Sequence, residues 1–232
     1  MKSTFLLLAV LLSTSWASAA ALVEAMSGDV RVETNGVTSG VQANQRVEAG
    51  STVFTSGTGT VVLRFDDGQL AALNPNTSFR IDGFRFDAAK PELDRIAMAI
   101  FRGSMRFVTG LIGGRNRGAF ALKTTAATVG IRGTDFFVGV QEGDYLSVTE
   151  GGVSGTNVAG TTNFVAGEAG FIASSTVKAI VIPLNAIPSG ISAAFTQLGA
   201  LPLGGAAGAG SGAAGATGAA GGSGGPSRAG WW

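Results

Sequence analysis

Apolar and polar positions alternate with a period of two along most of the chain. Val61, Leu63 and Phe65 interleave with Thr60, Val62 and Arg64, and Ile96, Met98 and Ile100 with Ala97, Ala99 and Phe101. Phe136, Val138 and Val140 interleave with Phe137 and Gly139, and Leu146 and Val148 with Tyr145, Ser147 and Thr149. Successive side chains on a strand point to opposite faces, so this spacing, rich in β-branched and aromatic residues, predicts strands. Several runs are apolar at both parities, which predicts strands covered on both sides. Asp66-Asp67-Gly68 and Glu142-Gly143-Asp144 predict tight turns. A weak repeat sets Gly28, Gly103 and Gly151 before a small or polar residue and an apolar one, as at strand entries. The expected fold is all-β, a compact β-solenoid, β-roll-like or sandwich domain over residues 22–179. Beyond it, residues 180–203 read as a linker with a short helix, in which Ile187, Ile191, Ala194, Phe195 and Leu198 fall near helical spacing. Pro188 is expected in its first turn, where a missing N–H costs little.

The two ends break the pattern. Lys2, the apolar run Phe5 to Leu12 and Ala17-Ser18-Ala19 have the layout of a secretory signal peptide over residues 1–19, with cleavage expected before Ala20. The run is short for a membrane span, and no later segment is long and apolar enough for one. At the other end, residues 204–232 contain 12 Gly and 9 Ala and finish in Trp231-Trp232. Glycine-rich chain gives up much backbone entropy on ordering and has little to bury, so a disordered tail is expected there. The expected location is the periplasm or the cell surface of a bacterium.

Composition narrows the chemistry. The chain of 232 residues contains no Cys and no His. That excludes a disulfide framework, a catalytic thiol, a Ser-His triad and the usual zinc or haem ligand sets. No cofactor or metal is expected, and the adjacent Asp66 and Asp67 lack the acidic spacing of a calcium loop. They read as a solvated turn. The formal charge of +1 falls to zero when Lys2 leaves with the signal, so net charge points to no partner and gives no reason to expect nucleic acid. The distribution is less even. Arg102, Arg106, Arg115, Arg117, Lys123 and Arg132 lie in a stretch without an acidic residue. Either these cations neutralise acids on neighbouring strands, or Arg115 and Arg117 form a mobile basic loop facing an acidic partner or an anionic envelope polymer.

The sharpest motif is Ala126-Ala127-Thr128-Val129-Gly130-Ile131-Arg132-Gly133-Thr134-Asp135-Phe136. Gly130 and Gly133 permit close approach or positive φ, and Asp135 could accept backbone N–H groups or pair with Arg132. Gly130, Arg132, Gly133, Thr134 and Asp135 resemble the Gly-[Ile/Val]-Arg-Gly-Thr-x-Phe signature of FecR-type domains. Val23 to Val32, Leu63 to Gly68 with Leu73 to Thr77, and Val148 to Val153 with Ala166 to Ala169 resemble other blocks of that family in the same order, covering about residues 22–175. The resemblance implies an all-β module of bacterial cell-surface signalling. The family's regulators carry an anti-sigma region and a transmembrane helix ahead of this domain and receive a signal from a TonB-dependent receptor. A signal peptide stands in that place here, so the resemblance is to stand-alone exported members.

Three functional readings follow. The first is a non-enzymatic exported module that binds an envelope protein or polymer through sheet edges, the basic loop, and Trp231 and Trp232 as a docking tail. The second is a structural surface or matrix protein that self-associates through its Gly/Ala tail. The third is a polysaccharide-acting enzyme, which needs two carboxylates facing across a cleft, drawn from Asp66, Asp67, Asp135 and Glu150.

Overall fold

The structure is a computed structural model and describes residues 19–201 and Leu203. The signal segment ahead of Ala19 and the tail with Trp231 and Trp232 lie outside the described residues. Within them the chain forms strands β1 (Ala19–Ser27), β2 (Val30–Thr34), β3 (Val37–Gly40), β4 (Arg46–Glu48) and β5 (Thr52–Thr55). Next come β6 (Thr60–Phe65), β7 (Leu70–Leu73), β8 (Ser78–Arg85), β9 (Arg95–Val108) and β10 (Phe120–Lys123). The last are β11 (Thr128–Gln141), β12 (Gly143–Asn157), β13 (Gly160–Val165), β14 (Ala169–Ile172) and β15 (Ile180–Ile182). Two helices join them: α1 (Leu111–Arg115) and α2 (Ser189–Gly199). The periodic runs picked out in the sequence are β6, β9, β11 and β12.

All fifteen strands belong to one open, mixed sheet that folds over into two leaves. The fold-over follows from three long strands that change partners midway. The first part of β9 lies between β8 and β10, and its second part between β7 and β11. The first part of β11 contacts β10, and its second part β9. β12 runs along β11 throughout, pairing β14 with its first part and β13 with its second. One leaf therefore reads β3-β2-β5-β8-β9-β10-β11-β12-β13, and the other β4-β1-β6-β7-β9-β11-β12-β14-β15. A solenoid would stack its coils in parallel. Here β9–β10 is the one parallel pairing among the described residues, so the layered alternative holds.

Positive-φ glycines mark the crossings between leaves. Gly103 (φ +87°), Gly133 (φ +62°) and Gly151 (φ +75°) sit at the bends of β9, β11 and β12. Gly103 and Gly151 thus bend continuous strands instead of opening new ones. Gly28 (φ +66°) turns the chain from β1 in one leaf to β2 in the other. The faint sequence repeat is a repeat of leaf crossings.

The inward faces of both leaves form one core. Rings meet across it, Phe65 with Phe84 at 5.6 Å and Phe107 with Phe120 at 5.0 Å between centroids. Burying each such side chain is worth about 1.5–3 kcal/mol. The outer face of the second leaf is also covered. Residues 180–203, expected as a linker, provide β15, which pairs with β14, and α2, which packs on that face. Ile191 and Phe195 lie near Phe137 and Tyr145, and Leu198 lies near Leu70 and Ala72. This explains why β7 is buried at all four positions. Pro188 precedes α2 as its N-cap, one residue before the first turn.

Candidate functional site

The signature segment straddles the bend of β11. Gly130 and Arg132 lie before the bend on the outer face of the first leaf, where Arg132 is exposed opposite Gly152 of β12. Gly133 makes the turn. Thr134 is then buried against Thr109: its N–H donates to Thr109 Oγ1 at 2.8 Å, and its carbonyl accepts the Thr109 N–H at 2.9 Å.

Asp135 emerges on the second leaf. Its two oxygens accept Nε and Nη2 of Arg106 at 2.9 and 2.6 Å. This corrects the expected Arg132–Asp135 pairing: the bend sends the two side chains to different leaves. The Arg106 guanidinium also reaches the carbonyls of Leu198 and Gly199 at 3.5 and 3.4 Å, and stands over the Phe137 ring. A cation at the C-terminal end of α2 completes free carbonyls and suits the helix dipole. Hydrogen bonding to Asp135 raises the Arg106 pKa above its ordinary value, against the opposing effect of burial. The signature's acid thus ties helix to sheet. Beside it lies a depression of about 450 Å³ lined by Gly133, Thr134, Asp135, Glu150 and Leu203.

Three further acids are structural in the same manner. Asp67 is buried, accepting N–H groups of Gln69 (3.2 Å) and Ile112 (3.1 Å), so it holds the start of α1 against the β6–β7 turn. Burial pushes its pKa up, partly offset by those bonds. The turn is therefore not wholly solvated as expected; Asp66 is the outward member and pairs with Arg46 at 2.6 Å. Asp144 has no exposure and accepts hydroxyls of Thr124 and Thr125 and the N–H of Ala126, and burial likewise raises its pKa. Asp94 accepts Nε and Nη2 of Arg115 at 2.9 and 3.0 Å and the N–H of Asp87. Burial there favours the neutral carboxyl, but Arg115 and the Asp87 N–H outweigh it and hold the pKa below its usual value.

The basic stretch accordingly divides. Arg106 and Arg115 neutralise acids from other elements, as the sheet-neutralisation alternative anticipates. Arg115 also donates to the carbonyls of Asp87 and Ala88 and stacks over Phe86, and the expected mobile loop is α1 followed by a 3-10 turn. Arg102, Arg117, Lys123 and Arg132 are exposed, with no ion pair among the described residues. Of the four acids considered for catalysis, Asp135 and Glu150 line the same depression, but both oxygens of Asp135 are engaged by Arg106. Pattern reading did not identify which residues Arg106, Asp94 and Asp144 would meet, because Asp135, Arg115 and Ala126 lie 18 to 29 residues from them.

The fold and these tethers define an all-β domain, with one outer face sealed by a helix and the other open. The model of the FecR protein family matches residues 51–154 of this chain. Among solved structures, two crystal structures described as a "putative anti-sigma factor" from Parabacteroides distasonis are similar, at 18% identity and TM-scores of 0.46 and 0.45. The match covers 57% of this chain and 59% of theirs. No curated protein matches. No helix among the described residues is long and apolar enough to cross a membrane.

Proposed function

We propose that the chain is an exported, non-enzymatic binding module of a cell-surface signalling system, holding an envelope protein or polymer. The observation that carries this reading is the asymmetry of the sheet. α2 closes the outer face of the second leaf, whereas no described element covers the outer face of the first, where Lys123 and Arg132 stand unpaired. Asp67 and Asp135, two of the acids that could do chemistry, instead hold α1 and α2 in place, which suits a rigid platform for recognition. Arg117 and the Trp231-Trp232 terminus are further contact points in this reading. Cross-linking of the full chain in intact cells, followed by identification of the captured material, tests it. Envelope components are the expected product; self-contacts alone would overturn it and favour a self-assembling matrix protein. N-terminal sequencing of the exported chain tests the signal, with Ala20 expected first.

A further inference from the structure

The open face carries a line of arginines that the sequence scatters. Arg85 on β8 stands directly opposite Arg95 on β9. The parallel register that pairs Phe120 with Ile96 brings Ala119 beside Arg95. The antiparallel pairing of β10 with β11 ends at Leu122–Val129; carried three positions further, that register sets Arg132 level with Ala119, the last residue of the 3-10 turn. Arg85, Arg95 and Arg132 therefore lie on one transverse row across four adjacent chain segments. At about 4.8 Å per strand the row extends roughly 15 Å. All three are exposed on the outer face, and Arg117 is exposed in the 3-10 turn just before Ala119.

Like charges directly opposite across a strand pair are destabilising, so the Arg85–Arg95 placement works against folding unless an anion meets it. None of the four arginines has an ion pair among the described residues. The nearby acids are engaged elsewhere or too few: Asp94 is held by Arg115, Asp82 by Arg80, Asp87 accepts the N–H groups of Ala89 and Lys90, and Glu92 is a single exposed charge. Alongside the row runs a groove of about 520 Å³ lined by Arg95, Ala97, Gly118 and Ala121 together with the acids Glu92 and Asp94, the latter already held by Arg115.

We propose that this groove and arginine row bind an anionic polysaccharide, with Arg85, Arg95 and Arg132 receiving its carboxylates. The proposal rests on the binding-module reading and names its ligand. Charge complementarity selects an anion, and guanidinium forks match planar carboxylates. The floor selects the polymer class. Protein partners are anchored by aromatic or aliphatic side chains in deep pockets, whereas this floor is mostly the small residues Ala97, Gly118, Ala119 and Ala121, with Ile96 buried beneath it and Leu93 half-buried at its side. Beneath the groove β9 is paired with β8 on one side and β10 on the other, so an added peptide strand finds no free edge of β9 there.

The test is affinity electrophoresis of the full chain through gels containing polygalacturonate, with pullulan as the neutral polymer and poly-L-glutamate as a soluble competitor. Retardation by polygalacturonate, weakening with added salt and absent with pullulan, is expected. R85S/R95S/R132S is expected to weaken it about tenfold or more. R64S/R102S/K178S removes the same charge from outside the row and is expected to stay within about threefold of wild type. The row variant should melt no lower than wild type, because it relieves repulsion. Equal losses in both triple variants, or no retardation of wild type, would overturn the proposal. Competition by poly-L-glutamate at equal charge would replace the polysaccharide with an acidic peptide. If retardation fails while cross-linking still captures an envelope protein, the row assignment falls and the module reading stands.

Discussion

Gly151→Ala and Gly133→Ala are the same chemical change at two facing bends, yet the structure assigns them very different costs. Both glycines have positive φ, +75° and +62°. That geometry alone costs an L-residue about 1–2 kcal/mol. Reduced freedom of the unfolded chain returns about 0.4–1 kcal/mol of this. At Gly133 nothing lies within 4 Å of an added Cβ, so the net loss should stay near 1 kcal/mol. At Gly151 the added Cβ would sit 1.8 Å from the carbonyl oxygen of Gly133 and 2.9 Å from that of Arg132. Neither atom belongs to a flexible side chain, so the bends of β11 and β12 must separate. The pairings Arg132–Gly152 and Asp135–Glu150 flank that point and would be strained with them. Gly151→Ala should therefore cost about 4 kcal/mol or more, in the range reserved for severe lesions. Urea unfolding followed by far-UV circular dichroism measures both. Equal losses, or a Gly151→Ala variant within about 1 kcal/mol of wild type, would refute the leaf-crossing account of these glycines.

Other perturbations follow from the buried acids. Arg115→Ala leaves Asp94, whose side chain has no exposure, as a buried carboxylate without its cation and with only the Asp87 N–H as a partner, and should destabilise by about 3–5 kcal/mol in thermal or urea unfolding. Because the Asp94 pKa is lowered, its contribution is present above the ordinary carboxylate value and is lost as pH falls through the folded value; Asp94→Asn should remove that part of the acid sensitivity. Asp67 and Asp144 have the opposite sign. Their raised values mean that the native state holds protons more tightly, so stability from these sites declines as pH rises from the ordinary value through the folded ones. Urea midpoints from about pH 3 to 7 should show a shallower decline over that window in Asp144→Asn than in wild type. Arg106→Ala removes the tether between Asp135 and the end of α2. With the two side chains 17% and 13% exposed, the cost should be roughly 2–3 kcal/mol, below that of a fully buried pair, with faster amide exchange and proteolysis around residues 189–199.

Local pattern was enough for the strands and turns. Period-two runs at residues 60–65, 96–101 and 136–149 became strands, and Glu142-Gly143 became the β11–β12 hairpin. Their double-sided apolar character forecast covering on both faces, which α2 supplies over the second leaf. Glycine positions were visible too, but their meaning was not. A residue that opens a strand and one that bends a strand look alike when φ is unknown.

Charge partners were the least legible feature. Arg132 and Asp135 are neighbours in sequence, but an intervening bend sends them to different leaves, while Asp135 meets Arg106 from a strand 29 residues earlier. Arg115 reads as a loop cation until Asp94 is found beneath it. The sequence by itself determined strand content, turn positions and the FecR-type blocks, because those depend on side-chain spacing of a few residues. Only the tertiary structure decided which acids are buried, which leaf α2 seals, and that Arg85, Arg95 and Arg132 share one row. Those depend on inter-strand register, and register is set by packing both leaves around a common core.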